Sequence, residues 1–159
     1  MPSWTTPADW STQERVLASK LNAQLRDNLK WLKSRPFANV VMTATVNTTS
    51  TSFVELTESR ITFTSAGGNI FMAACGIFSN SITGTINTFD LAIDGTRQGD
   101  ATVGLTQITC PNNNYPDCLS LLYMTSSPPS ADSHTYSIYW KVSANTGTIL
   151  TRFAAIEIR

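Results

Sequence analysis

The chain contains a single histidine, His134, so a Ser-His-Asp catalytic triad would have to use it. The sequence has no Gly-x-Ser-x-Gly motif, which in one large class of hydrolases presents the nucleophile. His134 stands at the start of a strand pattern, directly after Asp132 and Ser133. We therefore expect it to form hydrogen bonds at a loop edge rather than to act as a catalytic base.

Other catalytic chemistries find little support in the residue types. Cys110 and Cys118 with one histidine do not make a zinc ligand set. Asp90, Asp94 and Asp100 lie close together in the chain, which leaves open the paired carboxylates of a glycoside hydrolase. Asp94, however, belongs to an Asp-Gly turn, and Asp90 lies on the polar side of a strand pattern. No glycine-rich phosphate loop is present, so we expect neither an enzyme nor a bound cofactor or metal.

The cysteines leave two alternatives open. Cys110 and Cys118 bracket a loop of turn-forming composition, residues 111–117. A disulfide between them would be easy to form and would stiffen that loop, whereas two reduced thiols fit the sequence equally well. Cys75 lies within an apolar strand pattern, and we expect it to be a buried free thiol.

The loop between these cysteines also combines an aromatic side chain with three amides, a combination common in sugar-binding sites. The candidate receptor-contact residues are Asn112, Asn113, Asn114 and Tyr115. The alternative is an ordinary asparagine-rich turn.

The first of the two elements that could position such loops is an N-terminal arm, residues 1–36. It begins as an extended peptide and continues into the one strongly helical pattern of the chain, which Pro36 ends. Leucines recur along the helix as one apolar stripe, but a helix of about 16 residues is marginal on its own in water. The stripe therefore needs a partner, which could be the β domain, sister helices in a bundle or a foreign protein. The predicted docking residues of the arm are Trp4, Trp10, Leu17, Leu21, Leu25, Leu29 and Trp31.

The second element is a β domain, residues 37–159, in which the hydrophobic period changes from helical to two. About eight or nine strand patterns follow one another with turns between them, and Asp94-Gly95 is a strong hairpin signal. The predicted fold is therefore mainly β: an antiparallel jelly-roll sandwich preceded by an extended arm and one α-helix.

One strand pattern, residues 69–78, is apolar on both faces. A sandwich strand with one solvated face should alternate between apolar and polar residues, so we expect its outer face to be covered by the arm or by another subunit. The predicted trimer-interface residues are Ile70, Met72, Ala74 and Phe78.

Composition limits the remaining classes of protein. Charged residues make up 14% of the chain, well below the roughly 25% of typical soluble domains. The arm carries a net charge of +3 and the β domain −3. An acidic β domain does not suit a nucleic-acid groove, no apolar run is long enough for a membrane span, and no secretory signal pattern is expected at the N-terminus.

The segment from Trp10 to Leu29 resembles an N-terminal segment of structural proteins of tailed bacteriophages and prophages. In those proteins a leader runs into an Asn-x-x-x-Arg-Asp-Asn helix, which Asn22, Arg26, Asp27 and Asn28 match here. The β domain is similar to the tumour-necrosis-factor-like jelly rolls that phages use as trimeric modules. The segments that carry this likeness are 90–95, 134–140 and 152–158.

The resemblance implies a virion component that forms homotrimers and contacts other virion proteins. Such a protein is assembled in the host cytoplasm and exposed on the particle exterior. We expect a tail, fibre or tip component anchored by its arm. The alternatives are a capsid decoration protein bound to the major capsid protein, or an attachment module that binds a host-surface glycan.

Overall fold

A computed structural model of the chain describes Thr6, Asp9, Arg15 and residues 17–158, with the backbone alone for Trp31 and Leu32. The chain divides after Arg35 into two units. Of the predicted docking residues, Trp4, Trp10 and the side chain of Trp31 lie outside the described part.

The described part of the first unit contains a helix of three consecutive segments, called here the arm helix. It consists of α1 (Ala18–Leu21), a π-helical segment (Asn22–Asp27) and α2 (Asn28–Lys33). No side-chain hydrogen bond caps its N-terminus at Leu17. Its leucine stripe is largely exposed.

The described residues of the second unit form ten strands. Their bounds are β1 (Phe37–Val41), β2 (Val46–Thr48), β3 (Val54–Thr64), β4 (Asn69–Asn80), β5 (Ile86–Ile93), β6 (Thr96–Arg97), β7 (Thr106–Thr109), β8 (Asp117–Met124), β9 (Ser133–Val142) and β10 (Gly147–Ile158).

These strands build two antiparallel sheets that pack into a sandwich. The first sheet has the order β1-β10-β4-β8, with β2 also paired to β10. The second has the order β3-β9-β5-β6, with β7 also paired to β5. Successive long strands alternate between the sheets in the jelly-roll pattern. The mainly β, sandwich fold predicted from the sequence is confirmed.

The space between the sheets is filled by large apolar side chains. Trp140 and Phe89 stack with ring centroids 6.3 Å apart, and Phe78 meets Phe89 edge-on at 5.2 Å. At one end of the sandwich, Phe63 stacks on Tyr136 at 4.6 Å. Strand β9 contributes its inward residues as the period of two predicts.

A hairpin turn after β5 and a bulge in β3 interrupt the regular strand pattern. Asp94 and Gly95 have φ values of 49° and 76°, so the predicted Asp-Gly hairpin is present. Strand β3 is continuous, with a bulge between Leu56 and Ile61. Buried Ser59 stabilises the bulge, because its hydroxyl donates to the Leu56 carbonyl at 2.6 Å and accepts the Ile138 N–H at 2.9 Å.

A buried carboxylate holds the β3–β4 turn. Glu157 of β10 is fully buried, and its two oxygens accept the N–H groups of Ala66 at 2.7 Å and Gly68 at 2.9 Å. The Ser65 hydroxyl donates to it as well, at 3.3 Å. These bonds give the buried Glu157 side chain the hydrogen-bond partners that a polar group in the interior needs.

Candidate functional site

Strand β4 presents apolar residues to both sides, as the sequence predicted, but the assignment of the two sides was wrong. Ile70, Met72, Ala74 and Phe78 are all at most 3% exposed and lie in the core between the sheets. They fill the sandwich of their own subunit and are not accessible to a neighbouring one. The side chains available for contact are those on the opposite face of the strand.

Strand pairing extends that opposite face across the first sheet, and we call it the outer face. One cross-strand row contains Phe37, Ile156, Phe71 and Met124. The next contains Asn39, Ala154, Ala73 and Leu122, and the third contains Val41, Arg152, Cys75 and Ser120. Opposed positions on neighbouring strands are close enough to form one continuous surface.

The outer face exposes large apolar side chains at both of its edges. On edge strand β8, Leu122 is 68% and Met124 is 56% exposed. On edge strand β1, Phe37 is 53% and Val41 is 52% exposed. Contiguous apolar patches of this kind mark interaction sites on soluble proteins.

The centre of the outer face is lined by smaller residues. Ala73 and Ala154 oppose each other on the two central strands. Shallow depressions of about 340 and 420 Å³ flank Arg152 and Cys75 beside them. The face is therefore bulky along its edges and hollow along its middle, and Arg152 is the one charged residue in the three rows.

The outer face of the second sheet has the opposite character. Arg60 forms an ion pair with Glu55. Arg97 pairs with Asp90 at 2.9 Å and also lies 3.8 Å from the ring centre of Phe53. Burial raises the pKa of the Asp90 carboxyl, while hydrogen bonds from the Gly99 and Leu91 N–H groups and the charge of Arg97 oppose this. The exposed Arg60 side chain and its pairing with Glu55 suit contact with water, so the two faces of the sandwich differ in what they can bind.

The cysteines do not form the disulfide that the loop composition allowed. All three are free thiols. Cys110 is fully buried with its sulfur 3.1 Å from the Asn112 carbonyl oxygen, whereas Cys118 is exposed on β8. The expectation of a buried Cys75 was also wrong, since this thiol is exposed on the outer face.

The asparagine-rich loop is partly built into the structure. The Asn113 side-chain oxygen accepts the Thr83 N–H and the Thr83 hydroxyl, at 2.5 and 2.8 Å. Asn114 has a φ of 54°, as in a tight turn, and donates its N–H to the Asn80 carbonyl at 2.7 Å. Asn112 is exposed as well, and Tyr115 is 64% exposed at the tip. Asn113 and Asn114 thus shape the loop, while Tyr115 is free to touch a ligand.

His134 forms hydrogen bonds at a loop edge. Its Nδ1 lies 2.6 Å from an Asp94 oxygen, and its Nε2 lies 3.0 Å from the Ser130 carbonyl oxygen and 3.3 Å from the Ser130 hydroxyl. The hydrogen bond to Asp94 raises the pKa of the imidazole, and burial opposes that shift. A carbonyl oxygen can only accept, so the hydrogen bond to Ser130 forms when Nε2 carries a proton, and the ring then connects Asp94 to the Ser130 backbone.

Desolvation of Asp94 favours its neutral form. Hydrogen bonds from the Thr135 N–H and from His134 outweigh that effect and lower the pKa of this carboxyl.

Among the described residues there is no group of three or more His, Cys, Asp or Glu side chains that could hold a metal ion. No helix in that part of the chain is long and apolar enough to cross a membrane.

Sequence reasoning missed the contribution of β1, β8 and β10 to the outer face. The signal was present in β8, where the run Leu121–Met124 is apolar at consecutive positions, a pattern typical of a strand that is covered on both sides. The predicted docking leucines Leu17, Leu21, Leu25 and Leu29 are all at least 45% exposed.

Comparison with known proteins gives a structural likeness. No protein-family model matches the sequence, and no curated protein sequence is significantly similar to it. A chain in a structure of infectious bursal disease virus, Gt strain, matches 77% of this chain and 33% of its own length, with 5% identity and a TM-score of 0.52. The corresponding Gx-strain chain matches 77% of this chain and 32% of its own, with 7% identity and a TM-score of 0.49.

A third similar structure is the C-terminal CBM6 of LamC, a laminarinase of the marine organism Zobellia galactanivorans. It matches 77% of this chain and 100% of its own length, with 11% identity and a TM-score of 0.31. The chain thus spans about a third of the viral chains that it matches. At 5% identity, the likeness to the Gt-strain chain shows a shared fold.

Proposed function

We propose that this chain is a non-enzymatic structural protein of a tailed-phage virion. Its β-sandwich assembles into a homotrimer through the outer face of the first sheet. The N-terminal arm anchors the trimer to another virion protein, on the tail side of the particle, and the sandwich is exposed on the exterior.

The single observation that carries the proposal is the apolar outer face. Leu122, Met124, Phe37 and Val41 are each more than half exposed in the single chain. Burying such side chains stabilises an assembly by roughly 25 cal/mol for each Å² of apolar surface removed from water. A face of this kind on a chain with a polar opposite face is best explained by an assembly in which it is covered.

The shape of the face favours a ring over a two-fold dimer. Its edges carry Leu122, Met124, Phe37 and Val41, and its middle carries Ala73 and Ala154 beside the two depressions. If the edge of one copy occupies the hollow middle of the next without a reciprocal contact, the two contacting patches are different. Different patches on identical chains form a ring when the rotation between copies closes, and the smallest such ring has three members.

The virion assignment is supported by the phage-like pattern of the arm, in which Asn22, Arg26, Asp27 and Asn28 match, and by the β-sandwich shared with a chain of a virus structure. A capsid decoration protein would use the same trimer and arm, so the place of the chain on the particle is a separate question. Glycan attachment through Tyr115 at the exposed loop tip is a second candidate function.

Two measurements test the proposal. Light scattering on the purified protein at micromolar concentration should give three times the 17.3 kDa mass of one chain. Virions purified from cells that produce the protein should retain it, and labelled antibody should decorate the tail. A monomer, or a protein found only in the particle-free fraction, would contradict the proposal. Decoration of the head would replace the tail location by the capsid one.

A further inference from the structure

We propose that the arm helices of three copies pack against one another as a parallel bundle along their leucine stripes. This inference rests on the proposed homotrimer. It assigns the stripe to sister copies of this chain rather than to a foreign docking protein.

The leucines of the stripe that the structure describes are largely exposed. Leu17, Leu21, Leu25 and Leu29 are 54%, 45%, 57% and 59% exposed. The helical segments from Ala18 to Lys33 are close to the length at which an isolated helix is marginal in water. The helix therefore gains stability when a partner covers these leucines.

The π-helical segment keeps the leucines in line. In an α-helix a spacing of four residues overshoots one turn by about 40°, so four leucines at that spacing would wind around the surface. Hydrogen bonds in a π-helix span five residues, so its turn is wider and a step of four falls short. The segment Asn22–Asp27 lies at the centre of the stripe and offsets the drift. The result is a nearly straight stripe of about 18 Å, a shape that fits parallel helices lying side by side.

The short connection to the sandwich brings sister helices together. Only Ser34, Arg35 and Pro36 separate the end of the helix at Lys33 from Phe37, which lies on the outer face. An extended connection of this length spans at most about 14 Å. If three outer faces meet at one interface, the C-terminal ends of the three arm helices lie within about 14 Å of the three Phe37 residues. The helices are then at a high effective concentration with respect to one another.

The charge of the helix sets the response to salt. Between Ala18 and Lys33 the basic residues are Lys20, Arg26, Lys30 and Lys33, and the acidic residue is Asp27. Identical helices of net positive charge repel one another, and salt screens that repulsion. Raising the salt concentration should therefore strengthen a bundle of sister helices, whereas it would weaken docking on an acidic partner.

Disulfide cross-linking in the full-length protein tests the bundle. Leu25→Cys, in a Cys75→Ser and Cys118→Ser background, places a thiol on the stripe. Arg26→Cys is the control, since its side chain is 66% exposed and adjacent residues of a helix do not share a face, so it lies off the stripe. On mild oxidation, Leu25→Cys should give covalently linked pairs at least ten times faster than Arg26→Cys, and faster at high than at low salt. Leu21→Cys provides a second stripe position with the same expectation.

The mass of the protein separates this inference from the proposed function. A trimer in which the stripe and control cysteines link equally slowly would overturn the bundle and leave the trimer intact. A trimer whose stripe linking slows at high salt would also overturn the bundle. A monomer would contradict both proposals.

Discussion

Replacing Leu122 by aspartate should break the assembly while leaving the sandwich folded. Leu122 is 68% exposed in the single chain, so its side chain is not part of the core. Fully burying a leucine side chain contributes about 1.5–3 kcal/mol. Burying the exposed two thirds should therefore contribute about 1–2 kcal/mol in each copy, and about 3–6 kcal/mol in a trimer.

Because about 1.4 kcal/mol corresponds to a factor of ten, losing this burial should lower the trimer association constant by about two to four orders of magnitude. An uncompensated carboxylate in the interface adds a further cost. Thr62→Asp is the matched control, because Thr62 is an exposed strand residue on the polar second sheet.

Sedimentation velocity over a dilution series measures the association, and circular dichroism checks the fold. We expect Leu122→Asp to sediment as a monomer at concentrations where the wild type and Thr62→Asp are trimeric. If Leu122→Asp remained fully assembled, the outer face would not be the interface.

Three further predictions concern the folded sandwich. The folded protein raises the pKa of His134, so its pairing with Asp94 should stabilise the fold fully below the ordinary histidine pKa of about 6.5. This stabilisation should be lost as the pH rises through the raised pKa. The melting temperatures at about pH 6 and pH 9 should therefore differ less for His134→Gln than for the wild type. Glu157→Gln replaces an acceptor oxygen in the β3–β4 turn by a donor and should cost about 1–3 kcal/mol in chemical denaturation; an unchanged unfolding midpoint would refute that role. Gly104→Ala places a methyl group 2.6 Å from the Phe89 carbonyl oxygen at a φ of 60° and should destabilise more than Gly84→Ala, whose φ is 81° but whose added methyl group meets nothing; equal losses would mean that backbone strain alone is responsible.

The sequence predicts much of the sandwich because strand periodicity and turn chemistry are local properties. The alternation in β9 correctly indicates that Tyr136, Ile138 and Trp140 face inward, and Asp94-Gly95 marks its hairpin directly. These predictions need no knowledge of the partner strand.

The outer face could not be predicted in the same way. In β4 both sides are apolar, so the pattern defines two faces without indicating which one meets the second sheet. Only the pairing of β4 with β10 and β8 decides this, and it comes from residues far away in the chain. The same limitation explains Cys110 and Cys118, because the composition of the loop between them does not determine that one thiol is buried and the other exposed on β8.

The central claim is that the outer face is buried between copies, and the reactivity of the native thiols tests it most directly. Cys75 and Cys118 are both exposed in the single chain, and Cys75 lies in the hollow middle of the outer face. Alkylation of the untreated protein, followed by mass spectrometry, gives the labelling rate of each cysteine. If the outer face is buried between copies, Cys75 should label at least ten times more slowly in the wild type than in Leu122→Asp, and buried Cys110 should stay slow in both. Fast labelling of Cys75 in the wild type at micromolar concentration, equal to that in Leu122→Asp, would contradict the claim.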